Sequence, residues 1–139
     1  MRLARKGVPG PTGPQGPSNG YFTAEDGILV DLPGNGNELI VASLDLPAGS
    51  YLLSASVSLV DTASTNLQSG YCVINSTFAL GYIDWGLNSA GTFPLVGGIE
   101  LAAPATVTLG CAHTAGTADP VQVNSYGFTA LQVATLTTQ

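Results

Sequence analysis

Lys6 is the last basic residue of this chain. Arg2, Arg5 and Lys6 account for every lysine and arginine in 139 residues, and all nine acidic residues lie from Glu25 onward. A helical bundle needs long charged side chains on its exposed faces and few helix breakers. This chain has 9% charged residues, 18 glycines and 9 prolines, which argues against helix as its main element. Its 45% of hydrophobic residues can still fill a core, and the length suits one domain. The expected class is all-β. A body without cations cannot neutralise phosphates, so nucleic acid is excluded as a partner of the domain. Only the basic head, residues 1–6, could meet a polyanion or an acidic protein surface.

From about residue 28 onward, short apolar runs alternate with turn residues, the pattern of an antiparallel sandwich. Turns are expected at 33–37, 47–50, 62–69, 88–91, 97–98 and 115–120, which leaves about eight strands. The clearest strand is 51–60, with Tyr51, Leu53, Ala55, Val57 and Leu59 on one face and mostly serines on the other. Residues 105–111 alternate likewise, with Ala105, Val107, Leu109 and Cys111 in one row, and this places Cys111 inside. The run from Tyr126 is apolar on both faces: Phe128, Ala130, Ala134 and Leu136 on one, Leu131 and Val133 on the other. A sandwich strand of this kind needs a cover or a subunit interface. Phe128, Leu131 and Val133 are therefore the expected contacts between subunits.

Residues 7–18 read GVP GPT GPQ GPS, four Gly-X-Y triplets with proline in each. Glycine at every third position is the grammar of collagen, where three polyproline-II chains crowd an axis that admits no Cβ. Gly7, Gly10, Gly13 and Gly16 would occupy that axis. At ~3.1 Å per residue the stretch spans only about 37 Å and is too short to hold three chains alone. Either a trimeric neighbouring domain gathers the strands, or each chain carries a separate extended arm. The expected organisation is a basic head (1–6), a collagen-like arm (7–18), a connector (19–27) and a sandwich domain (28–139). MRLARK resembles the start of a secretory leader, but Gly7 and the prolines stand where its apolar segment would be required. No export and no membrane partner are expected, and the protein is expected to be made in the cytoplasm.

Chemistry-bearing residues are few. Cys72 and Cys111 are expected to be buried thiols rather than a disulfide, with a later bridge outside the cell as the alternative. Cys111 and His113 share a strand face, but two ligands are too few for a metal site. Cys72 could join them only if its strand lay beside that of Cys111, giving a structural zinc or a disulfide. Otherwise His113, the sole histidine, is a polar residue at a strand end. Glu25 and Asp26 precede the first expected strand. Asp61, Asp84 and Asp119 fall at expected turns, as solvated acids that keep the chain soluble. Asn75, Ser76 and Thr77 match a glycosylation sequon that a non-exported chain would not use. No phosphate loop or nucleophile elbow is present, so neither catalysis nor a cofactor is expected. Tyr82, Asp84 and Trp85 before the 88–91 turn mark an expected displayed loop for a receptor or a sugar.

A short Gly-X-Y stretch, LPAGSYLLSASVSL at 46–59, CVINST at 72–77, TVTLGCA at 106–112 and FTALQVATLT at 128–137 together resemble the bacterial and phage relatives of the complement q globular domain. The resemblance implies a homotrimer of jelly rolls, related to tumour necrosis factor, with a stalk entering at one end. It is similar to the capsid decoration or head-fibre proteins of phages, which implies a structural virion protein. Arg2, Leu3, Arg5 and Lys6 would then attach it to the major capsid protein. The alternative is the receptor- or glycan-binding tip of a tail fibre or of a bacterial surface adhesin.

Overall fold

The computed structural model describes residues 19–61, 68–75, 78–85, 90–113 and 121–137. Eight strands are present among them and no helix: β1 (Gly20–Asp31), β2 (Leu39–Leu46), β3 (Gly49–Asp61), β4 (Gln68–Ile74), β5 (Phe78–Trp85), β6 (Ala90–Leu101), β7 (Ala105–His113) and β8 (Val121–Val133). Their pairing follows one rule. β1 pairs with β8, β2 with β7, β3 with β6 and β4 with β5, all antiparallel, as in one long hairpin. The hairpin is rolled up, so that β8 also pairs with β3 and β7 with β4. Two four-stranded sheets result, β1-β8-β3-β6 and β2-β7-β4-β5, which is the arrangement of a jelly roll.

Alternation decides which residues lie between the sheets. In β3, Tyr51, Leu53, Ala55, Val57 and Leu59 are buried, as expected, while Leu52, Ser54 and Ser56 are exposed. In β7, Val107, Leu109 and Cys111 are buried, but Ala105 at the strand start is exposed. β8 reaches the core along its whole length by changing phase. Ser58 faces Ser125 and Leu59 faces Val123, so Asn124 is one extra residue, a bulge that shifts the inward set from odd to even positions. Val121, Val123, Tyr126, Phe128 and Ala130 therefore all enter one core.

Several expectations are corrected here. Within the stretch read as connector (19–27), residues 20–26 are already sheet, because they pair with β8 from Leu131 to Ser125. Glu25 and Asp26 thus lie on β1 rather than before the first strand. Gly97 and Gly98 form no turn, since β6 runs straight through them along the full length of β3. A Cβ on Gly98 would meet the Leu136 methyls at 3.3 Å, so this glycine makes room for the chain that follows β8. Asp61 is not a solvated turn residue. It ends β3 on the inward row, opposite Val121, and is buried. The 33–37 turn does form, with Gly34, Asn35 and Gly36 all at left-handed φ (56°, 56° and 72°), a conformation that glycine adopts at little cost.

Tyr51 is fully buried, donates its phenol to the Pro47 carbonyl at 3.0 Å and meets the Tyr21 ring edge-on at 6.0 Å. Burial, and after it the neighbouring Tyr21, raises its pKa above the ordinary value of 10.0. Above that ordinary value an unfolded chain ionises this phenol while the folded one does not. This residue's contribution therefore makes unfolding free energy fall as pH rises through and beyond 10.0. Denaturant titrations at stepped alkaline pH should show this fall reduced in Tyr51→Phe. An identical pH profile in the two proteins would contradict the assignment.

Candidate functional site

The outer face of the first sheet carries the most distinctive surface among the described residues. Strand register puts Phe22, Thr129, Ser54 and Val96 in one cross-strand row, and Gly20, Leu131, Leu52 and Gly98 in the next. Phe22 is 78% exposed, Val96 71%, Leu131 47% and Leu52 46%. Leu52 and Leu131 stand directly opposite each other, the spacing at which cross-strand side chains touch. Half-buried Leu136 covers Gly98 on the same face. Leucine, valine and phenylalanine gathered in adjacent rows, with no lysine or arginine among the described residues, form an apolar patch of the kind that marks an association surface.

The start of β1 is fixed at this patch. Asn19 donates its side-chain amide to Gln132 Oε1 at 3.1 Å, and the Gln132 backbone N–H donates to the Asn19 carbonyl at 2.9 Å. The residue that follows the Gly-X-Y arm is therefore anchored one strand position from Leu131. Farther along the face the rows become small. Ala24, Gly127 and Ser56, with Asp26 and Ser125 beyond them, line an open hollow of about 430 Å³ whose wall includes Glu25 and Tyr126.

Of the expected subunit contacts, Leu131 is on this face and Val133 is half-buried near it, opposite Ser50. Phe128 is corrected: it is wholly enclosed in this chain's own core and has no surface to offer a partner. Its burial follows from the bulge at Asn124, which turns the even positions of β8 inward. Sequence reading missed Phe22, Leu52 and Val96. Leu52 was visible as a leucine interrupting the serine row of β3, but its neighbours on β1 and β6 were not.

The second sheet holds the cysteines. β4 and β7 are adjacent and Cys72 faces Cys111, both buried and joined in a disulfide (S–S 2.01 Å, Cα–Cα 4.0 Å). This corrects the expectation of two thiols: register brings the residues together, which their separation of 39 positions could not reveal. Cys111 therefore has no thiol to share with His113. His113 is buried at the end of β7, and its Nε2–H donates to the Leu32 carbonyl at 3.2 Å. Its backbone carbonyl accepts from Gly36 N–H at 2.8 Å, so it fastens the 33–37 turn. Among the described residues, no three His, Cys, Asp or Glu side chains gather as metal ligands.

Tyr82, Asp84 and Trp85 lie on β5, paired with Tyr71, Ser69 and Gln68, so the expected loop position is corrected to the outermost strand of the second sheet. The run continues the β4–β5 hairpin, and pairing takes it up to Trp85. Asn75 is engaged at the end of β4: its backbone N–H donates to Thr108 O at 2.8 Å and its Oδ1 accepts from Thr108 N–H at 3.0 Å. Arg2, Leu3, Arg5, Lys6, Gly7, Gly10, Gly13, Gly16 and Asp119 lie outside the described residues. An open apolar depression of about 460 Å³ between Leu46–Pro47 and Pro104–Ala105 has no convergent polar groups beyond the Thr106 hydroxyl donating to Asp45.

No family model and no curated protein sequence matches this chain, so the resemblance to the complement q domain rests on the quoted motifs alone. Solved structures do match its fold. A chain of the infectious bursal disease virus T13 viral particle is similar with a TM-score of 0.58 at 11% identity, over 83% of this chain and 32% of that one. The structure of the Gx strain of the same virus gives 0.54 at 11% identity, over 82% and 32%. Dimeric latent PorU from Porphyromonas gingivalis gives 0.56 at 10% identity, over 84% and 13%. This chain therefore spans about a third of the viral chains and a smaller part of PorU. At these identities the likeness is one of fold.

Proposed function

We propose that this chain is a structural virion protein, a homotrimeric jelly-roll head attached to a phage capsid through its N-terminal arm. The carrying observation is that the apolar face of Phe22, Leu52, Val96 and Leu131 lies where the arm joins β1. Gly-X-Y triplets need three chains at one axis, and four triplets cannot hold them unaided. Heads packed through this face would bring three arms together at their roots, supplying that missing association. Arg2, Leu3, Arg5 and Lys6 of each arm then act at high effective concentration on the major capsid protein, so that weak single contacts add up to firm attachment. The remaining body is acidic and keeps the displayed heads soluble. A fold like that of chains in viral particles suits this reading.

The test compares the full chain with one lacking residues 2–6, by light scattering and by co-sedimentation with purified capsids. Both should measure as three chains, and only the full chain should sediment with capsids. Capsid binding retained by the shortened chain would remove the arm as anchor, and a folded single chain at micromolar concentration would remove the trimer. Glycan or cell binding by the shortened chain, lost in Trp85→Ala, would favour a receptor-binding tip instead.

A further inference from the structure

A closed threefold ring is built from heterologous contacts: each copy presents two different patches, and one meets the other on the next copy. This consideration rests on the trimer proposed above, and the first sheet presents such a pair. Phe22 is the most exposed large apolar side chain among the described residues, on β1, which lies at the edge of its sheet. Beside it is the hollow floored by Ala24, Gly127 and Ser56. A Cβ added at Gly127 would meet nothing within 4 Å, so the floor is open to an incoming group. Phe22 cannot fill this hollow in its own chain. It is two residues from Ala24 on the same strand, and side chains so placed project side by side from one face.

In the trimer proposed above, the neighbouring copy supplies the occupant. Asp26, on the same strand face as Ala24, borders the hollow, which disfavours an acidic group, and no cation exists in the body of a second copy to pair with it. An uncharged ring brings no like charge to this border. The edge position of β1 lets its side chain overhang a neighbour's sheet face. Asn19 lies three residues before Phe22, so repeating the contact around an axis gathers the three arm roots as well. We infer that Phe22 of one copy seats in the Ala24–Ser56–Gly127 hollow of the next, making this contact three times per trimer.

The experiment is sedimentation equilibrium on the full chain and on Phe22→Ala, Gly127→Leu and the double variant, with circular dichroism and thermal melts to verify the fold. A Cβ at Gly127 meets nothing within 4 Å, so Gly127→Leu should occupy the hollow and melt close to the parent. Each single change should raise the concentration at which the trimer half-dissociates by about tenfold or more, the scale of losing buried phenyl contacts. Because both changes remove one contact, the double variant should be no worse than the poorer single one. A trimer indifferent to Gly127→Leu, or effects that add in the double variant, would overturn the seating of Phe22 while leaving the trimer standing. A parent chain that sediments as a folded monomer would overturn the trimer itself.

Discussion

Replacing Cys72 and Cys111 together with alanine should lower the unfolding free energy by about 4 kcal/mol, the loop-closure value for a cross-link over 39 positions. For a domain of this size that corresponds to a fall in Tm on the order of 15 °C. The bond joins β4 to β7 in the middle of the second sheet, so without it the unfolded chain regains the freedom of everything between, including β5 and β6. Treating the parent protein with a reductant strong enough to open a buried disulfide should reproduce the shift. Equal melting of oxidised parent and double variant would mean that the bridge adds nothing to stability. Such bonds persist in oxidising surroundings.

The second large effect separates two residues that the sequence placed in the same role. Leu131→Asp should leave the melting of the single head nearly unchanged, because an exposed strand position costs less than about 1 kcal/mol. If the heads pack as proposed, it should nevertheless dissociate the assembly, since packing would bury three unpaired carboxylates at several kcal/mol each. Phe128→Ala should do the opposite kind of damage. Its ring lies fully inside the chain's own core, and such truncations cost about 3–5 kcal/mol of fold stability. Chemical denaturation and light scattering on both variants read the two losses separately. If Leu131→Asp stays associated at the parent's concentrations, the outer face of the first sheet is not the contact between copies.

Much of the fold was legible because strand alternation is a local signal. The rows of β3 and most of β7 could be read off the sequence, since a period of two fixes which residues share a face wherever one face is buried. What interrupts that period was hidden. The extra residue at Asn124 has no mark in the sequence, yet it decides that Phe128 belongs to the core and Leu131 to the surface. The glycines at 97 and 98 misled for a related reason: Gly98 admits Leu136 from a distant segment, and a local reading turns every glycine pair into a turn. The candidate site was half legible. Apolar residues on both faces of β8 announced that something had to cover it. The partners of Leu131 come from β1, β3 and β6, between 33 and 111 positions earlier, and no local pattern connects them.

The sequence by itself determined the class, the absence of cations from the body and the Gly-X-Y repeat of residues 7–18, because composition and periodicity act residue by residue. Register belongs to the tertiary structure alone. By rolling one long hairpin so that β8 meets β3 and β7 meets β4, it joined Cys72 to Cys111 and gathered Phe22, Leu52, Val96 and Leu131 into one surface. The physical reason is that long-range strand pairing is chosen by the collective burial of both sheets, and no short stretch of the chain carries that information.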